Sequence, residues 1–128
     1  MKYLLDTHTF LWAIAEDRRL STTANEILFA SASEFFLGAG SIWEIVIKTQ
    51  IGKLPLPSPV AGYIKRHLAL NRAQVLPISF EHVLRVEQLP LHHSDPFDRI
   101  LAAQSIEEKI PILSGDPVFR KYPVKLIW

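Results

Sequence analysis

Short apolar runs alternate with helix-like stretches from one end of the chain to the other, and this alternation constrains the fold more than any other feature. Lys2–Leu5, Phe35–Gly38, Val75–Ile78, Pro111–Leu113 and Val124–Ile127 each read as a short buried strand. Helical spacing predicts the segments between them. Phe10, Leu11, Trp12 and Ile14 mark the first helix, and Ser21 caps a second over Thr22–Ala32. Ser41 with Glu44 forms a capping-box pattern ahead of Ile45–Ile47, with Gly52 placed to end that helix and Gly38-Ala39-Gly40 read as a tight turn before it. The prolines of Leu54–Pro59 form a rigid connector, because three of them remove donors and fix φ. Three more helices follow: Val60–Ala69, a Ser79-capped segment closed by Pro90, and one opened by Asp95-Pro96 that runs to about Lys109. Ser114–Pro117 reads as a turn. Strands alternating with helices in this way specify an α/β domain with a mostly parallel central sheet and helices on both faces.

The 128 residues suit one domain spanning 1–128, and 48% hydrophobic residues supply a core. The longest uncharged stretch, Leu54–Ile64, is eleven residues with three prolines, against roughly 20 needed to span a bilayer, so no membrane association is expected. The N-terminus has no apolar segment ending in a cleavage site, and the expected location is the cytoplasm. With no cysteine there is no disulfide, thiolate metal site or cysteine nucleophile. A net charge of +1 is too balanced to announce a nucleic-acid partner by itself.

Ligands of open parallel sheets gather beyond the carboxyl ends of the strands. Acidic residues recur there: Asp6 after the first strand, Glu44 in the helix after the second, Asp95 and Asp98 at the start of a later helix, and Asp116 after Pro111–Leu113. Taken singly, each has an ordinary explanation. Glu44 closes a capping box and pairs with Lys48, Asp95 and Asp98 complement a helix N-terminus, Asp116 is a turn residue and Asp6 an Asx turn. As a set they point further, since caps and turns give no reason for acids to recur at one end of the strands. Carboxylates brought together repel unless a cation compensates, and hard oxygen donors favour Mg²⁺ or Mn²⁺. Such a centre suits phosphodiester hydrolysis, in which the cation orients the phosphate and offsets developing charge.

These residues resemble the PIN-domain family, and more particularly the VapC-type toxins of bacterial toxin–antitoxin modules. The resemblance rests on Asp6-Thr7-His8 with Leu11-Trp12, and on Ser41-Ile42-Trp43-Glu44-Ile45 with Lys48 and Gly52-Lys53-Leu54. It continues through Asp95-Pro96-Phe97-Asp98-Arg99 with Ala102-Ala103-Gln104, and Ser114-Gly115-Asp116 with Phe119. It implies a three-layer α/β/α fold, Mg²⁺- or Mn²⁺-dependent endoribonuclease activity, a homodimer and a cognate antitoxin. It also implies that Asp6, Glu44, Asp98 and Asp116 are the catalytic acids, with Asp95 beside Asp98 as a further metal ligand. Ser114 stands where many members have threonine, which keeps the hydroxyl.

Thr7, Ser41, Lys48, Arg99 and Ser114 are candidate substrate contacts through hydroxyl or charge, although capping explains Ser41, and carboxylates one turn earlier would pair with Lys48 and Arg99. His92 and His93 are weaker candidates for a ligand or proton shuttle, without an evident partner. Trp12, Trp43 and Phe97 are placed to stack on unpaired bases, but packing in the core is their favoured role. Two other functions compete with the nuclease: a non-catalytic PIN-like scaffold binding RNA or a partner, and a Mg²⁺-binding receiver-type signalling domain. The second lacks an acidic pair after the first strand, since Thr7 follows Asp6.

Overall fold

The computed structural model describes residues 1–91 and 93–128; His92 lies outside the described residues. Strands β1 (Lys2–Leu5), β2 (Glu34–Gly38), β3 (Ala73–Leu76), β4 (Ile112–Leu113) and β5 (Leu126–Ile127) form one sheet in the order β3-β2-β1-β4-β5. Every pairing is parallel, with Leu5 opposite both Leu37 and Leu113. Helices α1 (Thr7–Ala15), α2 (Thr22–Phe29), α3 (Ala39–Gln50), α4 (Val60–Leu70), α5 (Phe80–Glu87) and α6 (Pro96–Glu108) connect the strands, and a 3₁₀ turn covers Pro117–Lys121.

Alternate strand residues feed two cores. Tyr3, Leu5, Phe35, Leu37 and Leu113 pack on one side with Phe10, Ala24, Ile45 and Ile64 of α1 to α4. Leu4 and Ile112 pack on the other with Leu101 of α6 and Phe119. This is why the central strands are continuously apolar: a parallel sheet covered on both faces has no solvent side for polar residues. The outcome is the three-layer α/β/α arrangement with a fully parallel sheet.

Several boundaries differ from the sequence expectation. Helix α3 begins at Ala39, with Gly38 as its N-cap, so Ser41 and Glu44 do not form a capping box. The two glycines explain the earlier start. A Cβ at Gly38 would lie 2.7 Å from Gln104 Oε1, and one at Gly40 would lie 3.0 Å from Ile100, so both let α3 approach α6 closely. Helix α2 ends at Phe29 rather than Ala32. Strand β3 occupies Ala73–Leu76 rather than Val75–Ile78, because Pro77 has no N–H to continue the ladder. The final strand is two residues long rather than four.

The chain winds outward from β1 through β2 to β3, then returns to place β4 on the other side of β1. The order therefore reverses between β1 and β4, the position where parallel sheets open a crevice at their carboxyl ends. Asp6 follows β1 there, and Ser114 to Asp116 follow β4.

Candidate active site

Strand β1 passes into α1 through a single residue, Asp6, whose side chain both caps the helix and faces the crevice. Its Oδ1 accepts from Thr9 N at 2.8 Å, and its Oδ2 accepts from Ser114 Oγ at 2.6 Å. Ser114 Oγ in turn accepts from Asp116 N at 3.0 Å, and Asp116 Oδ1 caps the 3₁₀ turn through Val118 N. From α3, Glu44 is buried and clamped on both oxygens, with Thr7 Oγ1 donating to Oε1 at 2.7 Å and Lys48 Nζ donating to Oε2 at 2.7 Å. Asp95 caps α6, with Oδ1 accepting from Phe97 N and Asp98 N, as the Asp-Pro pattern predicts.

All five carboxylates line one cleft of about 130 Å³, together with Thr7, His8, Ser41, Lys48, Phe97 and Leu101. Asp98 registers their crowding most strongly. Burial first, and then the charges of Asp95, Asp116, Glu44 and Asp6, push its carboxyl up to about 7. Burial also raises Asp6, against the lowering effect of its bonds from Ser114 and Thr9. A cleft that makes a carboxylate this reluctant to ionise is one that a cation would relieve.

The donor chemistry fits a hard divalent cation, since carboxylate and hydroxyl oxygens dominate the lining. Among the described residues no three His, Asp or Glu side chains converge closely enough to make a ready-assembled ligand cage. Protein donors fix Asp6 and Glu44 at both oxygens, while Asp98 lines the cleft with Oδ2 3.4 Å from His93 Nε2.

The remaining candidates divide. Thr7, Ser41, Lys48 and Ser114 are brought to the cleft or to a carboxylate that lines it. Arg99 is not, and its expected roles are corrected. Its guanidinium is buried, donating to Pro90 O, Val86 O and Tyr122 Oη rather than pairing with Asp95 or facing a phosphate site. Trp43 is also corrected: it is 61% exposed and meets Phe97 edge to face at a centroid separation of 5.5 Å, outside the core. Trp12 is half-buried against the first core.

His93 gains partners that the sequence does not disclose. Its Nδ1 meets Tyr122 Oη, and its Nε2 lies 3.4 Å from Asp98 Oδ2. Tyr122 thus joins Arg99 and His93 behind Asp98, a link between residues 23 and 29 positions apart that no local pattern encodes. The suggestion of a ligand role for His92 lies outside the described residues.

Comparisons with known proteins agree with this architecture. The sequence profile of the PIN domain matches residues 3–125. Ribonuclease VapC16 of Mycobacterium tuberculosis (strain ATCC 25618 / H37Rv) is 38% identical over 50 residues, which are 39% of this chain and 34% of that protein. The matched segment thus spans about a third of that relative. A chain from the crystal structure of VapBC2 from Rickettsia felis, bound to a DNA fragment from their promoter, superposes with a TM-score of 0.71 at 16% identity. The match covers 99% of this chain and 98% of that one. DNA-bound VapBC from Salmonella typhimurium gives a TM-score of 0.72 at 13% identity, covering 99% and 97%. FitAcB from Neisseria gonorrhoeae gives 0.67 at 16%, covering 100% and 97%.

Proposed function

The chain belongs to the PIN-domain family, and from that premise we propose that residues 1–128 form one nuclease domain, a Mg²⁺- or Mn²⁺-dependent endoribonuclease acting as the toxin of a toxin–antitoxin pair. The observation that carries the reading is the convergence of Asp6, Glu44, Asp95, Asp98 and Asp116 on a single cleft at the sheet's switch point. Asp6, Glu44, Asp95, Asp98 and Asp116 would hold the cation. When bound, it supplies Lewis-acid activation of the phosphodiester and offsets the charge that develops as the P–O bond breaks.

The chain's own residues do the positioning. Ser114 and Thr9 N hold Asp6, Thr7 and Lys48 hold Glu44, and Asp95 presents Asp98 at the mouth of α6. Lys48, with 38% of its side chain exposed, offers charge to an RNA phosphate beyond its pairing with Glu44, and Thr7, Ser41 and Ser114 offer hydroxyls. Hydrolysis places water on phosphorus and releases one strand end as an alcohol and the other as a phosphate.

The similar structures include VapBC and toxin–antitoxin complexes, and this supports a cognate antitoxin as partner. A homodimer is supported by the apolar surface of Phe80, Val83 and Leu84 on α5 with Ile78 and Trp43, all more than a third exposed. Among the described residues no helix is long and apolar enough to cross a membrane, and we place the activity in the cytoplasm.

The test is incubation of purified protein, free of bound partner, with a mixed single-stranded RNA pool in Mg²⁺, Mn²⁺ or EDTA. Cutting in either metal and none in EDTA is expected. RNA bound but left uncut under both metals would replace the nuclease with a binding scaffold.

A further inference from the structure

Carboxylates repel phosphates, so in a cleft built from five of them Lys48 is a weak hold by itself, and a nucleic acid strand needs contacts beyond the cleft as well. A second recess of about 280 Å³ adjoins it, lined by Asp6, His8, Thr9, Trp12, Arg19, Gly115 and Asp116. Asp6, His8 and Asp116 line both spaces, so a strand leaving the carboxylates on this side passes directly into the recess.

Its lining suits a flat ring. Arg19 lies over Trp12 with its guanidinium carbon 4.6 Å from the ring centroid. Asp17 fixes that plane with two bonds, Nε to Oδ1 at 3.0 Å and Nη2 to Oδ2 at 2.8 Å, while 66% of the Arg19 side chain stays exposed. Trp12 is supported in turn by Trp128 at 6.1 Å and faces His8 at 5.9 Å. Gly115 lets Trp128 seat against the loop carrying Asp116, since a Cβ there would lie 2.7 Å from the indole. An exposed guanidinium plane, backed by an indole and clamped by a carboxylate, is an ordered stacking platform. Bases of single-stranded RNA stack on such planes without regard to sequence.

We propose that the recess formed by His8, Trp12, Arg19 and Gly115 binds a nucleobase of single-stranded RNA, that of the nucleotide adjoining the phosphodiester in the carboxylate cleft. The proposal rests on the ribonuclease reading and adds the source of strand affinity and placement. A volume near the roughly 300 Å³ lower bound of small-ligand pockets admits one base rather than a longer segment.

Fluorescence anisotropy in EDTA, where no cutting is expected, tests it with three labelled ten-nucleotide probes: oligoadenylate, oligouridylate and an abasic ribose-phosphate strand. Wild type should bind oligoadenylate about tenfold more tightly than the abasic strand, the effect of stacking one base. Arg19→Ala and Trp12→Leu should abolish that ratio, and Arg19→Lys should not restore it, because lysine keeps the charge without the plane. Arg19 is exposed, so an unchanged melting temperature for Arg19→Ala separates loss of the platform from loss of the fold. A ratio that survives Arg19→Ala, equal binding of all three probes, or no RNA binding at all overturns the proposal. Parallel cleavage of the RNA pool keeps the two readings apart: RNA cut in Mg²⁺ with a ratio indifferent to Arg19 refutes the base site alone.

Discussion

Ser114 Oγ donates to Asp6 Oδ2 at 2.6 Å, joining residues 108 positions apart and tying the end of β4 to the end of β1. The bond spans the point where the strand order reverses, and it holds a buried carboxylate whose burial already raises its pKa. Removing the hydroxyl with Ser114→Ala should lower stability by about 2 kcal/mol, the range for a hydrogen bond to a charged group. It should also move the acid limb of the activity profile to higher pH, since Asp6 then ionises later. Thermal melting and a pH–rate profile check both; an unchanged acid limb would show that Asp6 ionisation does not control the rate.

Asp98 gives a pH dependence of stability with a definite sign. Its folded pKa of about 7 lies above the ordinary carboxylate value, so between roughly pH 4 and 7 the folded state binds more protons than the unfolded one. Stability without metal should therefore fall as pH rises through that window. The gap from an ordinary value near 3.9 is worth about 4 kcal/mol, and screening of a partly exposed group roughly halves it, to about 2 kcal/mol. Asp98→Asn should thus raise the melting temperature at pH 7.5 in EDTA while abolishing cleavage. A variant that melts no higher than wild type would show that the carboxylates do not strain one another.

Arg99 separates packing from substrate contact. With its guanidinium donating to Pro90 O, Val86 O and Tyr122 Oη, Arg99→Ala should cost about 3 kcal/mol of stability, and Arg99→Lys should not recover it. Urea unfolding measures this directly. A stable Arg99→Ala protein with weakened RNA affinity would return Arg99 to the substrate.

The layer order, the parallel sheet and the acidic strand ends were legible in the sequence because they depend on local periodicity and on acids following apolar runs. The Asp95-Pro96 helix start was legible for the same reason. What escaped depends on approach between distant elements. Ser41 and Glu44 make a capping-box pattern, but Gly38 and Gly40 admit α6 so closely that α3 begins earlier, which leaves Glu44 to Thr7 and Lys48. Arg99 looks like a partner for Asp95 by spacing, yet carbonyls of α5 and the loop after it claim its guanidinium. The pairing of His93 with Tyr122, and the clamp of Arg19 over Trp12, likewise form only once the chain has folded.

The measurement that reaches the central claim most directly is a calorimetric titration of Mn²⁺ into metal-free wild type and Asp98→Asn at pH 7.5, in two buffers of different ionisation enthalpy. Wild type should bind the cation and release protons as Asp98 gives up its share of one, and Asp98→Asn should bind at least about tenfold more weakly without that release. Absence of Mn²⁺ binding by wild type, or equal binding with Asp98 removed, would contradict the assignment of the carboxylate cleft as the metal centre of a nuclease.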